Sequence, residues 1–194
     1  MTEEKILEYV KKKHEGQMRA EKVPTWHHLA RVSHILETVL EKHKEGTAGE
    51  RQAIIRAGYG HDLLEDTKAT EEDLVEFFGE DGARIIHGAT NEWGDDDVRP
   101  YVEKMRHESE SVRLVKLADL YDNISNVTYC LSALGTEWTS SYFLRVVTPM
   151  YEMVTCSPFT TYQKTADELK MMTQNAFSLL HDEFARHIDL KKVK

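Results

Sequence analysis

Apolar residues recur every three or four positions through most of the chain, which is the spacing of helices that bury one face. In the second predicted helix, for example, Leu29, Val32, Leu36 and Val39 fall on one side. No alternating run of β-branched residues is long enough to predict a strand. The pattern therefore predicts an all-α fold.

Local signals divide this pattern into individual helices. Thr25 is a candidate N-cap, Thr70 and Asp73 have the character of a capping box, and Gly79 is expected to end the helix that Thr70 begins. The segments 46–49 and 91–100 read as loops. The predicted helices cover about residues 3–18, 25–45, 50–64, 70–78, 81–89, 100–108, 111–134, 138–156 and 161–187.

Length and composition limit the classes of protein that fit. A chain of 194 residues with 40% hydrophobic residues suits one domain over 1–194, and no repeat or linker divides it. The net charge of −9 argues against nucleic acid or an anionic membrane as partner, but it permits a small phosphorylated ligand. No apolar run reaches the roughly 20 residues that span a bilayer, and the N-terminus lacks a signal-peptide pattern. Cys130 and Cys156 have no metal or redox spacing, which favours a cytoplasmic protein.

The stretch from His61 to Thr67 concentrates the candidate chemistry. It places one histidine and three acids (Asp62, Glu65 and Asp66) within six positions. On a helix these four side chains would share one face, because successive residues are rotated by about 100° around the helix axis. Burying such a face is costly unless a divalent metal neutralises it. The alternative is a solvated acidic helix end that contains a histidine by chance.

Two distant residues can complete a metal site. His28 lies near the start of an amphipathic helix, and Asp119 follows Leu117 and Ala118 in an apolar setting where an unpaired acid would be costly. His28, His61, Asp62 and Asp119 form a His₂Asp₂ set, which leaves positions open for water and substrate. Imidazole and carboxylate donors suit one divalent ion, Mn²⁺ first, with Fe, Ni, Zn or Mg²⁺ as alternatives. For each histidine the alternative is a buried ring that bonds a backbone carbonyl.

In order and spacing, these residues resemble the HD superfamily of metal-dependent phosphohydrolases. More narrowly, the chain resembles the hydrolase domain of RelA/SpoT proteins and their small stand-alone relatives. The resemblance extends over about residues 5–140 and rests on segments 14–17, 61–67 and 115–119 together with His28. It implies a single HD-domain bundle of about eight to ten helices, with helices at about 138–190 packed on a motif-bearing core.

The resemblance also implies a role for each matching residue. His28, His61, Asp62 and Asp119 would bind the metal, and the acidic pair Glu65 and Asp66 would orient water and move protons. The implied substrate contacts are Arg19, Asn123 and Lys116. The chain departs from the usual pattern at Ala20, Thr25, Leu120 and Asp122.

The function that follows from the resemblance is removal of the 3′-pyrophosphate from guanosine tetra- or pentaphosphate. One alternative is a phosphatase of another nucleotide, such as a nucleoside monophosphate or NADPH. Another is a regulatory module that binds a nucleotide without turnover. In the last helix, Met171, Met172, Phe177 and Leu180 predict either core packing or a homodimer contact.

Overall fold

The hydrophobic spacing produces helices throughout the computed structural model, which describes residues 1–94 and 97–192. The all-α prediction is confirmed, since the only strand-like pairing among these residues is an isolated bridge between Met18 and Pro24. The helices are α1 Glu3–Lys13, α2 Trp26–His43, α3 Ala48–Gly60, α4 Leu63–Asp66, α5 Glu71–Ala89, α6 Arg99–His107, α7 Glu110–Leu134, α8 Thr136–Tyr142, a π-helical segment Phe143–Val147, α9 Thr148–Cys156 and α10 Gln163–Lys192.

Several helix ends follow the predicted signals. The Thr70 side chain accepts from the Asp73 N–H, the Asp73 carboxylate accepts from the Thr70 N–H, and α5 starts there. Gly79 interrupts α5 with a φ of 77°, a conformation that glycine adopts without the steric cost of a side chain. The Thr70 cap and Gly79 therefore mark the start of α5 and its interruption.

Other predicted ends were wrong, at α1 and α3. Helix α1 stops at Lys13 and not near residue 18, because Gly16 takes a φ of 78° and the His14 ring bonds the Gln17 side chain. Helix α3 starts at Ala48, inside the predicted loop, because Thr47 forms a capping box with Glu50. Thr25 is the N-cap residue of α2, as predicted, although its side chain makes no capping hydrogen bond.

Helix α7 runs through the centre of the structure and packs against α2, α3, α5 and α10. It buries apolar residues on most of its circumference, and it also carries buried Asp119 and Asp122. None of the described helices combines the length and apolar character needed to cross a bilayer. The assignment of the whole chain to one domain stays a prediction.

Helices α2 and α3 approach each other closely at Gly58. A Cβ on Gly58 would lie 2.8 Å from the Cα of Ser33 on α2, and the Ser33 hydroxyl donates to the carbonyl of Ile55 at 2.8 Å. This contact matters for the site, because α2 carries His28 and α3 ends just before His61, and their rings lie 5.2 Å apart.

Replacing Gly58 with alanine is therefore expected to destabilise the protein by about 1–3 kcal/mol, because two backbones would have to separate. Urea unfolding of the metal-free protein measures the effect. Gly49→Ala is the matched control, since Gly49 lies in the same helix and a Cβ there meets no atom within 4 Å. Equal stability of the two variants would contradict the close contact.

Candidate active site

The His61-Asp62 pair lies in the turn between α3 and α4. Sequence periodicity predicted one helix through this point, but α3 ends at Gly60 and Asp62 adopts φ −98° and ψ 0°. The His61 Nδ1 lies 2.9 Å from the carbonyl oxygen of Gly58, which fixes the ring after the last turn of α3. The interruption turns the His61 Nε2 and the Asp62 carboxylate toward each other, 3.1 Å apart.

His28 and Asp119 meet this pair from α2 and α7. The His28 Nε2 lies 3.1 Å from the Asp119 Oδ1 and 3.8 Å from the Asp62 Oδ2. The His61 Nε2 lies 3.6 Å from the same Asp119 Oδ1. Two imidazole nitrogens and two carboxylates thus converge from three parts of the chain, and we call these four residues the ligand cluster.

The ligand cluster has the properties that a divalent cation requires. The His61 Nε2 is buried without a hydrogen-bond partner, while its Nδ1 is already engaged by Gly58. Burial opposes a charge on this ring, yet the neighbouring Asp62 and Asp119 raise the pKa of His61 to about 9. An unpartnered ring nitrogen beside two carboxylates is a donor set that suits Mn²⁺, Fe²⁺ or Zn²⁺. His28, His61 and Asp62 offer ligand atoms that all lie within 4.8 Å of one another.

Glu65 and Asp66 form an acidic pair on the short helix α4, next to Asp62. The Glu65 Oε1 accepts a hydrogen bond from the Asn91 N–H, which fixes the direction of this carboxylate. Desolvation and the charge of Asp62 raise the pKa of Glu65 to about 7, against the influence of Lys116. The same two causes raise the pKa of Asp66. A carboxyl group that titrates near neutral pH can give or take a proton under physiological conditions.

Three polar side chains support Asp119 from the other side. The Lys116 Nζ lies 2.7 Å from the Asp119 Oδ2, and the Asn123 Nδ2 donates to the Asp119 Oδ1 at 2.6 Å. Burial opposes ionisation of Asp119, but Lys116 and the two histidines hold its pKa well below the usual range. Arg19 donates to the Asn123 Oδ1, so it is linked to Asp119 through Asn123. The predicted substrate contacts of Arg19, Asn123 and Lys116 stay predictions.

One cleft connects these groups, and its opposite wall was not predicted. Every candidate site residue named above except His61 lines this active-site cleft. The facing wall is largely apolar and comes from α8, the π-helical segment and α9, with the residues Tyr142, Val146, Val147 and Met150. Sequence analysis assigned this region only to packing. No motif marks these residues, and the π-helical segment disturbs the spacing that would have placed them on one face.

A comparison with known protein families matches residues 25–124 to the HD domain, and this range contains the whole ligand cluster together with Glu65 and Asp66. The chain belongs to the HD domain family. The match covers slightly more than half of the chain and starts just before α2.

Curated relatives of this HD domain protein carry a more specific name. A guanosine-3′,5′-bis(diphosphate) 3′-pyrophosphohydrolase MESH1 of Xenopus tropicalis is 32% identical over 131 residues, which are 63% of this chain and 67% of the relative. The Danio rerio protein of the same name is 38% identical over 84 residues, which are 40% of this chain and 44% of the relative.

A solved structure shares the HD fold. A metazoan ortholog of SpoT, described as hydrolysing ppGpp, superposes with a TM-score of 0.68 over 90% of this chain and 93% of that chain, at 23% identity. At this identity the likeness supports the fold alone. It covers a larger share of the chain than the HD domain match does.

Proposed function

We propose that this protein is a metal-dependent pyrophosphohydrolase that removes the 3′-pyrophosphate from guanosine 3′,5′-bis(diphosphate). The observation that carries the proposal is the convergence of His28, His61, Asp62 and Asp119 at one cleft, which all of them except His61 line, with a carboxyl group of near-neutral pKa beside them. Relatives that are 29–38% identical bear the name of this activity. The reaction is hydrolysis of a phosphate ester, which requires a nucleophilic water and stabilisation of charge on phosphorus.

The ligand cluster would hold one divalent ion, and we propose Mn²⁺ because the donors are two imidazoles and two carboxylates without a thiolate. When bound, such an ion supplies positive charge that polarises a phosphoryl oxygen and makes water more acidic. The chain provides the remaining chemistry. Glu65 accepts the proton of the attacking water. Asp66 provides a second carboxylate, which lines the same cleft.

The substrate would lie between a cationic and an apolar part of the cleft. Arg19 is held by Glu21 at 3.1 Å and by Asn123, so its planar guanidinium is ordered before a ligand arrives. A guanidinium can pair with phosphate oxygens or stack on a base. Tyr142 and Val146 offer an apolar surface for the nucleoside.

A second candidate function is release of orthophosphate from a less anionic nucleotide, such as a nucleoside monophosphate or NADPH. The charge of the cleft favours this candidate. Four carboxylates line the cleft, while Arg19 and Lys116 are the cations that face it among the described residues. Leu120 also lines the cleft and is uncharged, whereas the proteins that this chain resembles usually have an arginine at this position.

The products of hydrolysis distinguish the candidates. Purified protein with Mn²⁺ is incubated with ppGpp, nucleoside monophosphates and NADPH, and pyrophosphate and orthophosphate are measured separately. Pyrophosphate from ppGpp, abolished by EDTA and restored by Mn²⁺, is the expected result. Orthophosphate from another nucleotide would move the protein to the second candidate. Nucleotide binding without either product would identify a regulatory module and overturn the proposed activity.

Cell location and assembly are further parts of this proposal. We propose that the protein acts in the cytoplasm on a small nucleotide, without nucleic acid, and that it forms a homodimer through α10, where Met171 is exposed, whereas Leu180 is buried and Met172 and Phe177 pack against the core. Sedimentation at several concentrations tests the dimer. A mass of one chain at all of them would contradict it.

A further inference from the structure

Asp122 is a buried carboxylate that the proposed reaction does not use. It lies on α7, three residues after Asp119, and 4% of its surface is exposed. The imidazole of His28 sits between these two acids. Its Nε2 lies 3.1 Å from the Asp119 Oδ1, and its Nδ1 lies 2.7 Å from the Asp122 Oδ2.

The two acids have different surroundings. Asp119 also approaches His61 and takes part in the ligand cluster. Both oxygens of Asp122 are occupied by donors. The Arg31 Nε donates to Oδ1 at 2.7 Å, the Arg31 Nη2 donates to Oδ2 at 3.0 Å, and the Asn126 Nδ2 donates to Oδ2 at 2.8 Å. Asp122 is absent from the lining of the active-site cleft, and its side chain contacts His28, which does line the cleft.

When the His28 Nε2 binds a metal, the contact with Asp122 provides an acceptor for the N–H that remains on Nδ1. A neutral imidazole has one N–H and one lone pair, and a carboxylate at Nδ1 accepts the N–H. The lone pair is then on Nε2, which faces Asp62 and Asp119. An anionic acceptor also makes the ring a stronger donor to a metal. His61 is held by an uncharged acceptor, the carbonyl of Gly58, so the two histidines are not equivalent.

Arg31 offsets the free-energy cost of burying the Asp122 carboxylate. A buried carboxylate is costly unless it is paired, and the two-pronged contact from Arg31 pairs it in a defined orientation. The Arg31 side chain is itself 39% exposed, so its own charge remains partly solvated. Asp122 does not line the cleft, and its negative charge is paired with the positive charge of Arg31.

We propose that Asp122 is a positioning residue of the metal centre, which presents the His28 Nε2 to the metal and is itself oriented by Arg31. This inference rests on the proposed metal-dependent function. It predicts that Asp122→Asn and Asp122→Ala weaken Mn²⁺ binding by about 10- to 100-fold, the usual effect of removing a partner of a metal-ligating histidine. Excess Mn²⁺ should restore most of the kcat, with the KM for nucleotide changed little.

The test measures Mn²⁺ affinity by titration calorimetry for the wild type, the two Asp122 variants and Arg31→Gln, together with thermal unfolding of each metal-free protein. Arg31→Gln keeps the carboxylate but removes its clamp, so a smaller loss of affinity in the same direction is expected. Asp81→Asn is the matched control, because Asp81 is an exposed aspartate that pairs with Arg84 outside the site. Its Mn²⁺ affinity should equal that of the wild type.

The outcomes separate this inference from the proposed function. Wild-type affinity in the Asp122 variants, even with a lower unfolding temperature, would reduce Asp122 to a structural role and overturn the inference. If the Asp122 variants do not fold, unchanged affinity in Arg31→Gln overturns it. Failure of the wild type to bind any divalent ion would instead overturn the proposed function, and with it the basis of the inference. Metal binding without nucleotide hydrolysis would leave the affinity test of Asp122 decisive.

Discussion

Asp62→Ala is expected to reduce hydrolysis by roughly 10³-fold or more, because stabilisation of phosphoryl charge by a metal is worth several kcal/mol and each 1.4 kcal/mol corresponds to tenfold in rate. Asp62 is the acid nearest the unpartnered His61 Nε2, at 3.1 Å, and it also lies 3.8 Å from the His28 Nε2. Removing it leaves the two imidazoles with Asp119 alone to balance a dication. The measurements are kcat/KM at fixed Mn²⁺ and the amount of metal retained after gel filtration.

The metal-free Asp62→Ala protein should keep its fold. Asp62 stands beside Glu65 and Asp66, where its charge raises the pKa of both, so its removal relieves repulsion between like charges. Asp81→Ala, which removes an exposed aspartate, should leave activity unchanged. If Asp62→Ala binds Mn²⁺ and turns over nucleotide as the wild type does, the ligand cluster is not the metal site.

Sequence alone was sufficient for the fold class, and it singled out four residues that lie close together in the structure. Helical periodicity is a local property, and helix caps such as Thr70 with Asp73 act over one turn, so both can be read from neighbouring residues. The cluster was predicted because Asp119 is an acid in an apolar stretch, which only a partner can compensate. The structure brings these residues together, while their role as metal ligands stays a prediction.

The parts that sequence reasoning missed depend on contacts between distant segments. The end of α3 at Gly60 follows from the hydrogen bond between His61 and Gly58 and from the close packing of Gly58 on Ser33. In the sequence, Asp122 is only a departure from the family pattern. Its real partners, Arg31 and His28, are more than 90 positions away in sequence, so spacing could not reveal them.

The apolar wall of the cleft was missed for a different reason. Tyr142 and Val146 carry no chemical signal that separates them from core residues. Val146 lies in the π-helical segment Phe143–Val147 and Met150 follows it, and such a segment rotates the residues after it relative to a regular helix. A prediction based on a constant turn of 100° per residue cannot place side chains correctly after such a segment.

Glu65→Gln is expected to lower kcat by about 10²- to 10⁴-fold, the contribution typical of a general acid or base. Glutamine has nearly the same shape, and its amide oxygen can still accept from the Asn91 N–H, so the side chain should keep its place. Since Glu65 is outside the ligand cluster, Mn²⁺ affinity should change by only a few-fold. A loss of kcat without a loss of metal distinguishes this variant from Asp62→Ala.

The pH dependence gives this prediction a second readout. The pKa of Glu65 is raised to about 7 by desolvation and by the charge of Asp62. As a base, Glu65 works in its ionised form, so kcat/KM of the wild type should rise with pH up to about 7 and then level off. A cation bound to Asp62 favours the ionised form and moves this limb toward lower pH. In Glu65→Gln the limb should disappear.

The Glu65→Gln variant should be more stable than the wild type above neutral pH, although it is less active. In the metal-free protein the folded state holds the proton of Glu65 more tightly than the unfolded state does, so stability falls as the pH rises from the unfolded pKa toward the folded value. Glu65→Gln removes that loss, and its unfolding temperature at pH 8 should exceed that of the wild type. Glu103→Gln, at an exposed glutamate that pairs with Arg106, should change neither kcat nor the pH profile. A pH limb that persists unchanged in Glu65→Gln would assign the titration, and with it the role of the base, to another group.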